Sequence, residues 1–80
     1  MSINILIIEY TDCMDFGDRI KELRQERGVT QVTLASALGC SQSMVAQWEA
    51  HKNKPTEEFI VRAAQYFEVS CDYLLGLRDD

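Results

Sequence analysis

Residues 40–52, CSQSMVAQWEAHK, carry the side chains best suited to reading another molecule. Drawn as a helix at about 100° per residue, the segment turns Val45 and Trp48 one way, with Ser41 and Met44 beside them. Gln42, Ser43, Ala46, Gln47 and Ala50 then fill an arc of about 140° on roughly the other side, and none of them is charged. A glutamine amide holds a donor and an acceptor side by side and can pair bidentately with adenine N6 and N7. Serine and alanine leave room and can touch a thymine methyl. A charged face would hold phosphate at any sequence, so a neutral face flanked by bases is the useful chemistry for reading DNA. The plainer alternative is a solvated helix that lacks Lys and Glu by chance.

No other constellation competes with this one. The chain has no nucleophile beside a base, no carboxylate pair placed for a cleft and no phosphate-binding glycine loop, so no enzyme is expected. Cys13, Cys40 and Cys71 are odd in number and far apart. With His51 as the one histidine, neither a zinc site nor a disulfide framework is expected, and two of the thiols are expected to be buried as small apolar groups. A cofactor or small-molecule ligand is not expected either. No apolar run reaches membrane-spanning length and MSINILIIEY lacks the features of a signal peptide, so a cytoplasmic setting is expected.

Several short helices must position that face. Phe16, Ile20 and Leu23 recur at helical spacing, and Gly28 is placed to end the helix they form. Thr30 can cap a second helix through Leu38 that buries Leu34, Ala35 and Leu38. Gly39 supplies a positive-φ turn, and Ser41 caps the third helix, which runs to about Ala50. Thr56 caps a fourth, with Glu57 and Glu58 at its positive end and an apolar stripe of Phe59, Ile60, Ala63, Ala64 and Phe67. Ser70 opens a short fifth, closed by Gly76. A helix, a glycine turn and a second helix make the helix-turn-helix arrangement, whose second helix enters the major groove. In residues 3–8, INILII, the four isoleucines favour a strand.

Taken whole, the net charge of −5 argues against nucleic acid; divided along the chain, it does not. Residues 1–18 hold four acids and no base, and residues 55–80 hold six acids and two bases. Residues 19–54 hold six bases, Arg19, Lys21, Arg24, Arg27, Lys52 and Lys54, against three acids. A basic centre with acidic ends fits a polyanion-facing middle.

Residues 20–76 resemble the lambda-repressor-like helix-turn-helix domains of the Cro and CI repressors and their XRE-type relatives. The pieces that carry the likeness are LRQERGVTQ, LASALGCSQS, QWE, KP and VSCDYLLG, in family order and spacing. The resemblance implies five helices, dimeric binding to operator DNA, and usually repression. It also implies roles for single residues. Gln31, opening the second helix, falls where the family places a glutamine on phosphate or a base. Gln42, Ser43 and Gln47 match base-contacting positions, with Ala46 on the same face. Lys52, Asn53 and Lys54 lie in the loop that grips phosphate, and Arg24 with Glu49 matches a buried ion pair. Tyr73, Leu74 and Leu77 fall where the family makes its dimer contacts. Where the family has an acid in the second helix this chain has Val32 and Thr33, so Val32 is expected to be exposed. His51 and Glu68 stand at usual glycines, and His51 is expected to take a left-handed conformation.

Met14 begins what looks like an ordinary start for this family, which leaves residues 1–13 as an addition. An isolated strand needs a partner for its backbone. Pairing with its own copy across a two-fold axis, through Ile3, Ile5, Leu6, Ile7 and Ile8, is the economical expectation. The expected protein is thus all-α, a five-helix domain over residues 14–80 preceded by a short β-strand in residues 1–13. It is expected to act as a homodimeric, double-stranded-DNA-binding regulator of phage or mobile-element type. An antitoxin-like protein-interaction module is the rival reading.

Overall fold

The helix starts are set by side chains that accept backbone N–H groups. In the computed structural model, which describes residues 15–77, Asp15 accepts from the Asp18 amide at 3.2 Å and Asp18 accepts from the Asp15 amide at 3.4 Å. This reciprocal capping box opens α1 (Phe16–Glu26). Thr30 caps α2 (Gln31–Leu38) by accepting from the Thr33 amide at 3.1 Å. Ser41 caps α3 (Gln42–Glu49) through the Met44 amide at 3.2 Å, and Ser70 caps α5 (Cys71–Leu74) through the Tyr73 amide at 3.0 Å. The fourth start differs from expectation. Thr56 stands at the N-cap of α4 (Glu57–Phe67), but its side chain makes no capping hydrogen bond. The acidic first turn, Glu57 and Glu58, complements the positive end of that helix instead.

Between α2 and α3 the chain turns at Gly39, whose φ of 79° is left-handed and costs an ordinary residue strain. His51 (φ 62°) and Glu68 (φ 59°) take the same conformation without being glycine. Val32 is 64% exposed, as its place in α2 leads one to expect.

Each helix contributes its apolar stripe to one core. Ile20, Leu34, Leu38, Val45, Trp48, Phe67 and Leu74 are its largest fully buried side chains. Trp48 sits at the centre, with Phe16 edge-on at 5.4 Å and Phe59 tilted at 5.5 Å between ring centroids, both within the range of favourable aromatic pairs. Gly17 lets α1 approach α3 closely. A Cβ placed there would lie 2.0 Å from the Trp48 carbonyl oxygen, well inside contact distance.

Three expectations need correction or placing. Leu74 is fully buried in this core, so it packs the domain and cannot form a dimer contact. Cys40 and Cys71 are only half-buried, at the edge of the core where the turn and the short α5 leave one side open, and Cys13 lies outside the described residues. The strand expected over residues 3–8, with Ile3, Ile5, Leu6, Ile7 and Ile8, also lies outside them. The described residues are all-helical, with five helices, none of them long and apolar enough to cross a membrane.

Candidate nucleic-acid interface

Burying Val45 and Trp48 fixes the rotation of α3 and leaves Gln42, Ser43 and Gln47 exposed, with Ala46 half-buried among them. The helix is anchored from behind by a chain of polar contacts. Arg24 donates to Glu49 in bidentate fashion, Nε to Oε2 at 2.8 Å and Nη2 to Oε1 at 3.0 Å, and its Nη1 donates to the Val29 carbonyl at 3.0 Å. The Glu49 side chain is 5% exposed and that of Arg24 14%, so the pair is largely shielded from water. The hydrogen bond that Arg24 donates to Glu49 raises the guanidinium pKa above its usual value. An ion pair this sheltered ties α1 to α3 in one orientation more than it adds net stability.

The chain continues to the surface. Gln31 Nε2 donates to Glu49 Oε1 at 2.9 Å, and Gln42 Nε2 donates to Gln31 Oε1 at 2.7 Å. The fixed polarity of Glu49, which can only accept, sets the flip of the Gln31 amide, and Gln31 in turn sets the flip of Gln42. Gln42 is exposed and keeps one N–H and its Oε1 uncommitted to another described residue. Further along the face, Gln47 Nε2 donates to Ser43 Oγ at 3.3 Å and Asn53 Nδ2 donates to Gln47 Oε1 at 3.3 Å. The uncharged face therefore holds two hydrogen-bonded sets, Gln42 with Gln31 and Ser43 with Gln47, and the second leads through Asn53 into the loop after α3.

That loop carries Lys52, Asn53 and Lys54, all exposed. Asn53 Oδ1 accepts from the Lys54 amide at 2.9 Å. His51, at the start of the loop, lies between the carboxylates of Asp15, which caps α1, and of Asp18 in its first turn. Its Nδ1 is 3.0 Å from Asp15 Oδ2 and its Nε2 is 3.0 Å from Asp18 Oδ1. Asp15, Asp18 and His51 are the one group among the described residues with the donor types of a cation site. Both ring nitrogens are already committed to carboxylates, however, which is an ion-pair arrangement and not a ligand set. Behind the loop lies a cavity of about 320 Å³, floored by Phe16, Trp48, Ile60 and Leu75 and rimmed by His51, Asn53 and Lys54.

The six bases of residues 19–54 divide unequally. Arg19 is buried, with its guanidinium 4.4 Å from the centre of the half-buried Tyr73 ring. Arg24 is taken by Glu49, and Arg27 donates to the Phe67 carbonyl at 2.7 Å while stacking on the Phe67 ring at 5.3 Å. Among the described residues Lys21, Lys52 and Lys54 make no ion pair. The basic centre read from the sequence is thus half structural, because arginine is the cation that caps carbonyls and stacks on rings. Of the three residues expected at a C-terminal dimer contact, only Leu77 is well exposed, at 61%. Leu75, unremarked in the sequence, is exposed beside it in the chain at 40%.

The sequence reading missed the Asp15–His51–Asp18 bridge and the orienting role of Gln31. Its one available signal for the first was the D-x-x-D spacing of a capping box.

A helix-turn-helix family model matches residues 20–74, and the chain belongs to that family. It is 37% identical over 65 residues to the uncharacterized HTH-type transcriptional regulator YobD of Bacillus subtilis, a match covering 81% of this chain and 58% of that protein. Repressor protein C2 of Salmonella phage P22 is 30% identical over 59 residues, covering 74% of this chain and 27% of that one. The crystal structure of the P22 c2 repressor in complex with synthetic operator 9T superposes with a TM-score of 0.76 at 28% identity, over 81% of this chain and 98% of that chain. Against the curated relatives the chain spans between about one-seventh and three-fifths of their length.

Proposed function

We propose that this helix-turn-helix chain binds double-stranded DNA sequence-specifically and regulates transcription, as a repressor of phage or mobile-element type that occupies a two-fold operator as a dimer. The observation that carries the reading is the pre-oriented Gln42 amide on an uncharged α3 face. Its uncommitted N–H and Oε1 supply the donor and acceptor that adenine N7 and N6 require. Because the amide is already held, little ordering remains when it binds. Ser43 and Gln47 complete the base-facing row, and Ala46 leaves room for a thymine methyl. Lys52, Asn53 and Lys54 contact phosphate and set register, while Gln31 acts mainly by holding Gln42. The likeness in fold to the P22 c2 repressor in complex with a synthetic operator supports DNA as the partner.

In this reading residues 14–80 are the DNA-binding domain. The dimer contact falls to exposed Leu75 and Leu77 and to the isoleucine-rich segment within residues 1–13. Selection of bound DNA from a random pool tests the proposal. The expected product is a two-fold consensus with half-sites about 10 base pairs apart, centre to centre, or a multiple of that. Failure to enrich any sequence would overturn it.

A further inference from the structure

The phosphate-facing loop is tied mainly to α3, where Asn53 Nδ2 donates to Gln47 Oε1 at 3.3 Å and lies 3.8 Å from Met44 Sδ. Residues 51–54 are all exposed, and behind them lies the cavity and not solid core. Backbone bonds from His51 to Trp48 and from Lys52 to Gln47 complete the end of α3 but go no further along the loop. The tie to a different helix is the His51 ring, held between Asp15 and Asp18 at the start of α1.

His51 holds this place against its own backbone preference. Its φ of 62° is the left-handed conformation that glycine or asparagine accepts more readily. Glu68 takes the same conformation, so what sets His51 apart is the pair of carboxylates around its ring.

We propose that His51 is a positioning residue for DNA binding, its ring bridging Asp15 and Asp18 so that Lys52 and Lys54 are held where phosphate lies. The inference rests on the DNA-binding reading above and adds to it a dependence on proton binding. A neutral imidazole has one N–H donor and one bare acceptor nitrogen, so it can satisfy only one of two flanking carboxylates. The bridge needs the imidazolium. The carboxylates supply the counter-charge: Asp15 first, then Asp18, raise the ring's pKa above its ordinary 6.5.

The charged groups around the ring are these two aspartates of α1 and, on its own loop, Lys52 and Lys54. Glu49 is turned away to Arg24, and α4 and the residue that ends α5 present only the apolar Ile60 and Leu75 to the cavity that His51 lines. Because the folded value is raised, the bridge is intact below pH 6.5 and is lost as pH rises through the raised value.

The chain has one histidine, so its ring resonances report this residue alone. A pH titration of the free full-length chain by NMR is expected to place the ring above 6.5, and Asp18→Asn to bring it down towards that value. Affinity for the selected duplex, at constant salt, is expected to fall several-fold between about pH 6 and about pH 8.5 in the natural chain. His51→Asn keeps a residue that tolerates positive φ but cannot ionise. It is expected to bind at the weaker level throughout that range, with the same base preferences. It also accounts for any contribution from the terminal amine. A ring titrating at or below 6.5, or a His51→Asn chain with the natural pH profile, would overturn the inference while sequence-specific binding survives. Absence of binding at every pH would instead remove the DNA reading and this inference with it.

Discussion

The chemistry of the face depends on a few residues whose polarity leaves no choice. Glu49 can only accept, and so it determines the orientation of two glutamines in series before any DNA arrives. Neither glutamine's role could be told from its position alone, because a flip of the amide leaves the sequence unchanged. The same carboxylate neutralises Arg24 in a place where water barely reaches. Glu49→Ala leaves that guanidinium unpaired and frees the Gln31 amide. The expected loss is about 3 kcal/mol, at the lower end for a broken buried pair because Arg24 keeps its bond to the Val29 carbonyl. In a domain this size that lowers the melting temperature by roughly 12–24 °C. A shift of a degree or two would show that the pair does not couple α1 to α3. Replacing both partners with Met and Leu is expected to restore part of the stability, since no unpaired charge remains, while the Gln31 amide and the Val29 carbonyl still lose their partners.

At the level of elements, local signals were legible and long-range ones were not. Thr30, Ser41 and Ser70 were readable as caps because each bonds an amide three residues on. The left-handed backbone at His51 followed from its standing at a usual glycine, and the burial of Ile20, Leu34 and Val45 from helical spacing. Leu74, carried over from the resemblance as a dimer contact, is buried, and a four-residue helix has too few positions for a period to show it. The bridge from His51 to Asp15 and Asp18 spans more than thirty residues, and so do the contacts of Arg27 with Phe67 and Arg19 with Tyr73. No spacing rule reaches that far. Gly17 was overlooked for a related reason: its importance lies in what passes next to it. Gly17→Ala raises helix propensity by up to about 1 kcal/mol. It also drives a methyl into the Trp48 carbonyl, and overpacking of that kind costs about 1–3 kcal/mol. The sum is expected to be a destabilised protein in chemical denaturation, with α1 displaced from α3. A variant more stable than the natural chain would mean that the two helices are free to separate at no cost.

At the level of the whole molecule, formal charge misleads twice. The total of −5 hides a basic middle, and the basic middle in turn hides arginines committed to the fold. What remains for a polyanion is a small set of lysines beside a neutral amide row, an economical division between holding DNA and reading it. The central claim is that these two tasks belong to different residues. Affinities of Gln42→Ala and Lys54→Ala across a library of single-base variants of the selected site test it most directly. Gln42→Ala is expected to lose about 1–3 kcal/mol at one base pair, with discrimination at that position relaxed and the rest of the site read as before. Lys54→Ala is expected to weaken binding about equally at every sequence and to reduce the slope of log affinity against log salt by about 1. If both substitutions weaken all sequences uniformly, the face of α3 does not read bases and the account is wrong.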